Sequence, residues 1–485
     1  MPKMVFVKIL KILLYIGPIL LASAAAAAGP EEMLRPQLDA LQKSAGDVGI
    51  QVIALPSGKP VWEYRAAEPL VPASLVKVLT SYAALKRLGP GHHYQTSLWA
   101  LDGPKGDAIP GDLWIRGDGD PYLVAEKASA LAAALRESGV RSIHGGICID
   151  NGAFSPPSER VCLDGQCGRN YEPVLSATAV DFNSITFRVS PGAKTGSPVR
   201  VSWSPAGDYV RMTNRAVTGG KGAKTPLRLQ SLGMAPDGHE KFELTGRLPA
   251  RGAGEREFRL NVADPAFFAG YTYKALLREA GIEIRGAGVK VCSVPAGAKK
   301  ILESGSQSLG EILFGLNRYS NNFMAEMVLR NMGGRTGEFP ATAEKGLAVV
   351  RRTLGSLGIP EGEVSLDCGS GLSRNCRVSP RTFGKVLAAV YADPSIAPDF
   401  MASLAVSSQD GTLRRRAHPP GIVLRGKTGS LSDVAAIAGY VEEAGRDVCA
   451  VTIICNDVRD PAAAKAAMHA FIDRAPGLVR ALAAP

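Results

Sequence analysis

The chain has 485 residues, of which 46% are hydrophobic and 21% charged, and a formal net charge of +11. That length allows a sizeable core in about two to three domains, and the composition excludes a disordered or collagen-like chain. Apart from Arg414-Arg415-Arg416 the positive charges are dispersed. They read as a solvated basic surface, loosely attracted to an anionic cell envelope, and no nucleic-acid footprint is expected.

In chain order, Lys3, Lys8 and Lys11 precede or interrupt an apolar run that is free of charge over 12–22, and small residues fill 23–28. This is the layout of a secretory signal peptide over 1–28, with an Ala-x-Ala type cut near Ala28. As a membrane anchor the run is short, and no later segment is apolar for long enough to span a bilayer. An exported, periplasmic protein with at most loose membrane association is expected. Strands follow at 48–55 and 61–64 around the turn Pro56-Ser57-Gly58. A helix runs over 74–88 and is closed by Gly89-Pro90. Between about 94 and 292, short β-like segments (97–101, 113–117, 147–150, 185–190, 200–204) alternate with Gly/Pro-rich turns. Helices return at 309–316, 321–331 and 341–357. The chain ends in a strand pair, 434–441 and 447–455, and a helix over 462–474. Helix and strand at both ends around a β-rich middle predict a discontinuous α/β domain interrupted by an insertion.

There are eight cysteines, an even number that in an exported chain points to disulfides rather than metal ligands. Cys162 and Cys167 share a loop-like stretch and form the first candidate pair; Cys368 and Cys376 flank a Gly/Ser-rich turn and form the second. Cys449 and Cys455 lie six apart in a strand, roughly 20 Å from each other and too far to bridge. No histidine stands close to either short pair, so no metal site is expected, and connectivity is otherwise open.

Three short motifs carry chemistry. Ser74-Leu75-Val76-Lys77 opens the 74–88 helix, where residues three apart share a face. A neutral Lys77 amine there can take the Ser74 proton and make the hydroxyl a nucleophile. The motif alone arises by chance about twice in a chain this long. Lys427-Thr428-Gly429 stands at a strand edge just before the last hairpin, where a cation beside a hydroxyl suits a substrate carboxylate. A second copy, Lys194-Thr195-Gly196, lies in a turn-rich stretch with no following strand pair, and reads as loop. Ser320-Asn321-Asn322 directly precedes a helix, where a helix cap is the simplest role. Its place in the chain, after Ser-x-x-Lys and before Lys-Thr-Gly, makes the three a set.

That set is the one found in penicillin-binding proteins and class A β-lactamases. The chain resembles the low-molecular-mass, class C penicillin-binding proteins of the D-alanyl-D-alanine carboxypeptidase/endopeptidase family. Pro72-Ala73-Ser74-Leu75-Val76-Lys77, Tyr319-Ser320-Asn321-Asn322, Gly369-Ser370-Gly371-Leu372-Ser373-Arg374, Asp410-Gly411-Thr412-Leu413 and Lys427-Thr428-Gly429-Ser430-Leu431 carry the resemblance. The long gap between Ser74 and Ser320 discriminates this family from class A β-lactamases, whose gap is short. One departure is Cys368, which displaces Asp367 by a residue from the family's Asp-Gly-Ser-Gly pattern. The resemblance implies an α/β (α+β) penicillin-binding-protein/serine β-lactamase-like transpeptidase domain, discontinuous over 29–95 and 300–485. It also implies a β-rich two-domain insertion, with domain II at 96–190 and 262–299 and a nested domain III at 191–261.

By the same resemblance, Ser74 attacks the carbonyl of the penultimate D-Ala of a peptidoglycan stem peptide, and the acyl-enzyme is then hydrolysed. Lys77 acts as base, with its pKa expected to be lowered by burial and by the charge of Lys427. Ser320 relays a proton to the leaving amine, Asn322 holds the substrate amide, and Lys427 with Thr428 binds the terminal carboxylate. The N–H groups of Ser74 and Ser430, beside Gly429, form the oxyanion hole. β-Lactams are expected as covalent inhibitors, and no cofactor is expected. Arg374 matches a family position near the substrate, with a structural ion pair as the alternative. Asp150 either faces the substrate side chain or caps a turn. A histidine-dependent hydrolase is the rival chemistry, but no Gly-x-Ser-x-Gly elbow accompanies the six histidines. A β-lactamase-like hydrolase and a catalytically idle penicillin-binding sensor are the alternative functions.

Overall fold

A computed structural model describes residues 30–162, 171–220, 226–250, 254–334 and 339–483. The signal-peptide segment 1–28 and Cys167 lie outside the described residues.

Both ends of the chain build one antiparallel sheet of six strands. Their order is Lys59–Tyr64, Asp47–Ala54, Arg446–Asn456, Val434–Glu443, Ile422–Leu431 and Ala405–Val406. The N-terminal hairpin joins the last strand of the chain in unbroken register, from Asp47 opposite Asn456 to Ala54 opposite Cys449. Successive side chains of a strand face opposite sides, and here both sides are covered. Ala435, Ile437 and Val441 pack with Leu38, Leu41, Phe471 and Ile472 beneath the terminal helices Pro30–Ser44 and Pro461–Ala483. Ala436, Ala438 and Tyr440 face the opposite layer, where Leu79, Tyr82, Met327 and Phe383 sit on the helices Val76–Leu88, Asn322–Gly334 and Pro380–Tyr391. Two-sided burial is why this strand reads as a continuous apolar run. Cys449 and Cys455 both lie on the terminal-helix side and are buried, free thiols.

The segment between Gln95 and Gly305 has its own core. A five-stranded sheet runs in the order Val289–Val291, Ile147–Asp150, Leu113–Gly117, Gln95–Ala100 and Lys299–Gly305. A smaller sheet pairs Ser184–Ser190 with Arg200–Ser204 on one side and Arg256–Asn261 on the other. The sequence reading places 184–190 with the preceding residues, whereas its hydrogen bonds join it to strands of the 191–261 stretch. Two helices in this region, Ala125–Glu137 and Pro265–Glu279, escaped the β-dominated reading. The second has a legible start: Pro265 follows Asp264, whose carboxylate accepts the N–H groups of Ala266 and Phe267.

Cys148 and Cys292 form a disulfide with their Cα atoms 5.9 Å apart, a pairing that the sequence reading did not propose. It ties the end of the edge strand Val289–Val291 to its parallel neighbour Ile147–Asp150, where Ile149 and Val291 stand opposite each other. A separation of 144 residues leaves no local signal for such a bridge. Cys368 and Cys376, the second candidate pair, are free thiols. Among the described residues, no helix is long and apolar enough to cross a membrane.

Candidate active site

The site forms where the first turn of the Val76–Leu88 helix meets the edge of the six-stranded sheet. Ser74 stands in a tight turn, Ala73–Leu75, that runs straight into this helix. Ala73 just before it has φ +47°, a conformation that L residues adopt at a cost of order 1–3 kcal/mol. The turn is held there from outside. A Cβ on Gly371, itself at φ +76°, would overlap the Ala73 carbonyl, and one on Gly429 would come within 2.7 Å of the Pro72 carbonyl oxygen. Glycine at these two places lets two distant segments close on the backbone that presents Ser74.

Lys77 Nζ donates to Ser74 Oγ at 3.0 Å, to Asn322 Oδ1 at 2.7 Å and to the Ser370 carbonyl at 2.6 Å. Its side chain is wholly buried, and burial lowers its pKa to about 7. The nearby carboxylate of Glu326 works in the opposite direction. Lys427 is also wholly buried; its Nζ donates to Ser320 Oγ at 2.8 Å and to the Thr428 carbonyl at 2.7 Å. Its pKa is lowered well below the usual value by burial and, second, by the charge of Lys77. The expected push of Lys427 on Lys77 is corrected: burial is what lowers Lys77, and the charge effect between the two lysines falls on Lys427.

Ser320 occupies the turn between the helices Leu309–Arg318 and Asn322–Gly334, at φ +58°. The helix-cap role falls to Asn321, whose Oδ1 accepts the Met324 N–H at 3.1 Å, which frees the Ser320 hydroxyl for Lys427. Asn322 uses both ends of its amide: Oδ1 receives Lys77, and Nδ2 donates to the Tyr171 carbonyl at 2.9 Å. Lys427, Thr428 and Gly429 lie in the strand Ile422–Leu431, paired throughout with Val434–Glu443. On its other side the short strand Ala405–Val406 covers only Arg425 and Gly426. From Lys427 to Leu431 this edge carries no strand partner among the described residues, a template to which an extended peptide can add. Ser430 on it is exposed. Beside Ser320 and Asn322 opens a cavity of about 190 Å³, whose far wall includes Tyr171, Phe182 and Arg259 of the inserted segment.

Arg374 ion-pairs with Asp433 at 2.7 Å and donates to Ser432 Oγ at 2.8 Å, next to the end of the Lys427 strand. Asp150 is buried and caps backbone, accepting the N–H groups of Gly152 and Val294, which is the turn-capping role. Lys194 and Thr195 sit exposed in a turn. Of the histidines, His418 meets Asp473 at 2.6 Å on the C-terminal helix, whereas Ser74 is served by Lys77.

Sequence reasoning missed three supports. Glu326, nearly wholly buried, accepts the N–H groups of Gly369 (3.1 Å) and Ser370 (2.8 Å), orienting the carbonyl that holds Lys77. Burial raises its pKa, and those hydrogen bonds oppose the rise. Its position four residues after Asn322, on the same helix face, was a usable signal. Thr80 binds the Gly369 carbonyl at 2.8 Å from the opposite side. Thr412 pairs with Thr428, Oγ1 to Oγ1, at 3.0 Å.

An antiparallel sheet between two helical layers, with Ser-x-x-Lys on a buried helix and Lys-Thr-Gly on the facing edge strand, defines the penicillin-binding and β-lactamase-like class. A profile of the D-Ala-D-Ala carboxypeptidase 3 (S13) family matches residues 34–475, and the chain belongs to that family. It is 33% identical to a D-alanyl-D-alanine carboxypeptidase of Actinomadura sp. over 412 residues, 81% of this chain and 74% of that protein. The crystal structure of penicillin binding protein 4 (dacB) from Haemophilus influenzae shares the fold with a TM-score of 0.76 at 22% identity, over 93% of this chain and 99% of that one. The structure of the same protein complexed with a β-lactam matches with a TM-score of 0.72, at the same identity and coverage.

Proposed function

We propose that the protein is an exported serine-type D-Ala-D-Ala carboxypeptidase and D,D-endopeptidase that acts on peptidoglycan stem peptides and cross-links through an acyl-enzyme at Ser74. The observation that carries the reading is the buried amine of Lys77, 3.0 Å from the Ser74 hydroxyl and with a pKa near 7. A base poised near the working pH is half deprotonated and still a competent acceptor.

The steps follow from where the groups stand. A peptide adds to the open edge of the Lys427 strand with its terminal carboxylate at Lys427 and Thr428. That carboxylate favours the charged form of Lys427, and this charge in turn favours the neutral form of Lys77. Lys77 takes the proton of Ser74 as Oγ attacks the D-Ala carbonyl. The N–H groups of Ser74 and Ser430 hold the oxyanion. Ser320, held by Lys427, passes a proton to the leaving amine, and water then hydrolyses the ester. In carboxypeptidase and endopeptidase turnover alike, the leaving group is a D-amino acid centre bearing a free carboxylate, so one carboxylate site serves both. Arg374, beside Ser432 at the strand's end, flanks the path of the peptide. A β-lactam offers the same carbonyl and carboxylate and acylates Ser74 with slow release. Export is supported by the charge-flanked apolar N-terminus and by the Cys148–Cys292 bridge, since such bonds persist in oxidising compartments.

The test compares wild type with Ser74→Ala on a reporter penicillin and a D-Ala-D-Ala pentapeptide. A stable label and D-Ala release, both lost in the variant, are expected. Rapid penicillin turnover without peptide cleavage would make the protein a β-lactamase, and labelling without turnover of either compound would make it a sensor.

A further inference from the structure

The loop that carries the Lys77 anchor begins and ends next to a thiol. Cys368 and Cys376 are both buried, and their sulfurs lie 3.5 Å apart. They pack together against Val76, the residue before Lys77 on the nucleophile helix. Between them run Gly369 and Ser370, whose N–H groups meet Glu326 and whose carbonyls receive Thr80 and Lys77. Ser373 and Asn375 close the loop on Asp367 by hydrogen bonds of 2.6 and 3.2 Å, but no covalent bond does so. The chain already holds one bridge, Cys148–Cys292, so its thiols mature where disulfides form.

We propose that Cys368 and Cys376 are a cross-linking site: in the mature protein they close to a disulfide that clamps the 368–376 loop and holds the Ser370 carbonyl against Lys77. The chemistry is thiol–disulfide exchange with a protein or small-molecule disulfide as oxidant. The thiolate of one cysteine attacks a sulfur of the oxidant and releases one of its thiols. The thiolate of the other then attacks the mixed disulfide, forms the Sγ–Sγ bond and releases the second. Two electrons and two protons pass from the pair to the oxidant. The sulfurs need to approach by roughly 1.5 Å to reach bonding distance, within the reach of side-chain rotation. Both thiols are buried against the helix, so exchange proceeds before the loop has docked or while it is open, and the closed bond is then shielded from reductant. The carboxylate of Asp367 accepts from Cys376 Sγ at 3.1 Å, which makes a bound metal ion the competing use of the same three groups.

The inference about Lys77 rests on the reading of Ser74 and Lys77 as the acylating pair; the cross-link itself does not, and the two are tested separately. Trypsin cuts after Arg374 and Arg377, so in the full mature protein Cys376 leaves on the tripeptide Asn375-Cys376-Arg377. Non-reducing digestion after alkylation is expected to yield this tripeptide bound to the Cys368 peptide, two hydrogens lighter than the sum of the free peptides. Alkylation of both thiols in the native protein, or stoichiometric zinc retained through purification, would overturn the proposal. Reduction is expected to lower the acylation rate by a reporter penicillin about tenfold and to shift its acidic limb to lower pH: the dithiol loop still reaches Lys77 when closed, but it is free to open, and while open it leaves the charged Lys77 short of an acceptor. Reoxidation by glutathione disulfide restores both. The Cys368→Ser/Cys376→Ser variant, treated with the same reductant, separates this bridge from Cys148–Cys292: it is expected to start slow and to respond no further. An acylation rate or pH profile in wild type that reductant leaves unmoved, once the tripeptide is shown to be released, would remove the proposed hold on Lys77. If the double variant does not fold, the peptide map and the pH profile of reduced wild type still decide.

Discussion

The tripeptide Lys-Thr-Gly occurs twice, and the two copies could hardly be treated more differently. Lys194 and Thr195 are exposed in a turn, and Gly196 has φ +89° and donates its N–H to the Thr218 carbonyl. Lys194 keeps its hydration there. Lys427 lies inside a strand with its side chain wholly buried, its amine on Ser320, and Thr428 on Thr412. Water removed from Lys427 is replaced by a few fixed dipoles, so its charge becomes conditional on what arrives beside it. The comparison teaches that a short motif is not the unit of function. Desolvation by distant partners is what turns an ordinary cation into a reagent.

Removing Lys427 should have the largest effect. Lys427→Ala is expected to lower acylation by penicillin and peptide by about 10²–10⁴-fold, since it takes away both the carboxylate partner and the hold on Ser320. Stopped-flow acylation rates check this, and retention of near-full activity would break the comparison outright. The pH profile comes next. Lys77 must be neutral to act and titrates near 7, so the acylation rate should fall about tenfold per pH unit below that value and level off above it. Measuring the rate against pH from 5 to 9 (about four units around that pKa) reads the inflection directly; a limb near the ordinary lysine value would mean that burial does not act as described.

Thr412→Val keeps the shape of the side chain and removes the hydroxyl that accepts from Thr428. A loss of about 3–10-fold in kcat/KM for the pentapeptide is expected, mostly in KM, in line with one hydrogen bond of about 1 kcal/mol. The smallest effect should come from Lys194→Ala, whose rates are expected to stay within about twofold of wild type and whose Tm should be unchanged, as for surface substitutions generally. A large loss there would mean that the exposed copy takes part in binding after all.

Much of the site was legible because its chemistry is local. Ser74 and Lys77 share one helix face by spacing alone, and the strand pair after Lys427 marked the correct Lys-Thr-Gly copy. Glu326 was within reach of the same argument, four residues from Asn322. Other parts had no local signature. The Ser370 carbonyl acts on Lys77 across 293 residues through a backbone atom that every residue type carries. Thr412 stands in a stretch that carried the family resemblance, but nothing local pairs its hydroxyl with Thr428, and the Cys148–Cys292 pair is 144 residues apart.

By itself the sequence determined which groups this protein has to work with and the order in which they come: a serine and an amine one helical turn apart, a second serine before a helix, and a lysine at a strand edge. The tertiary structure alone decided their protonation. Whether Lys77 is a base depends on how completely the helices, the 369–371 loop and the edge strand exclude water, and on which charged groups stand beside it. Those are properties of distances between segments that no stretch of the chain encodes alone.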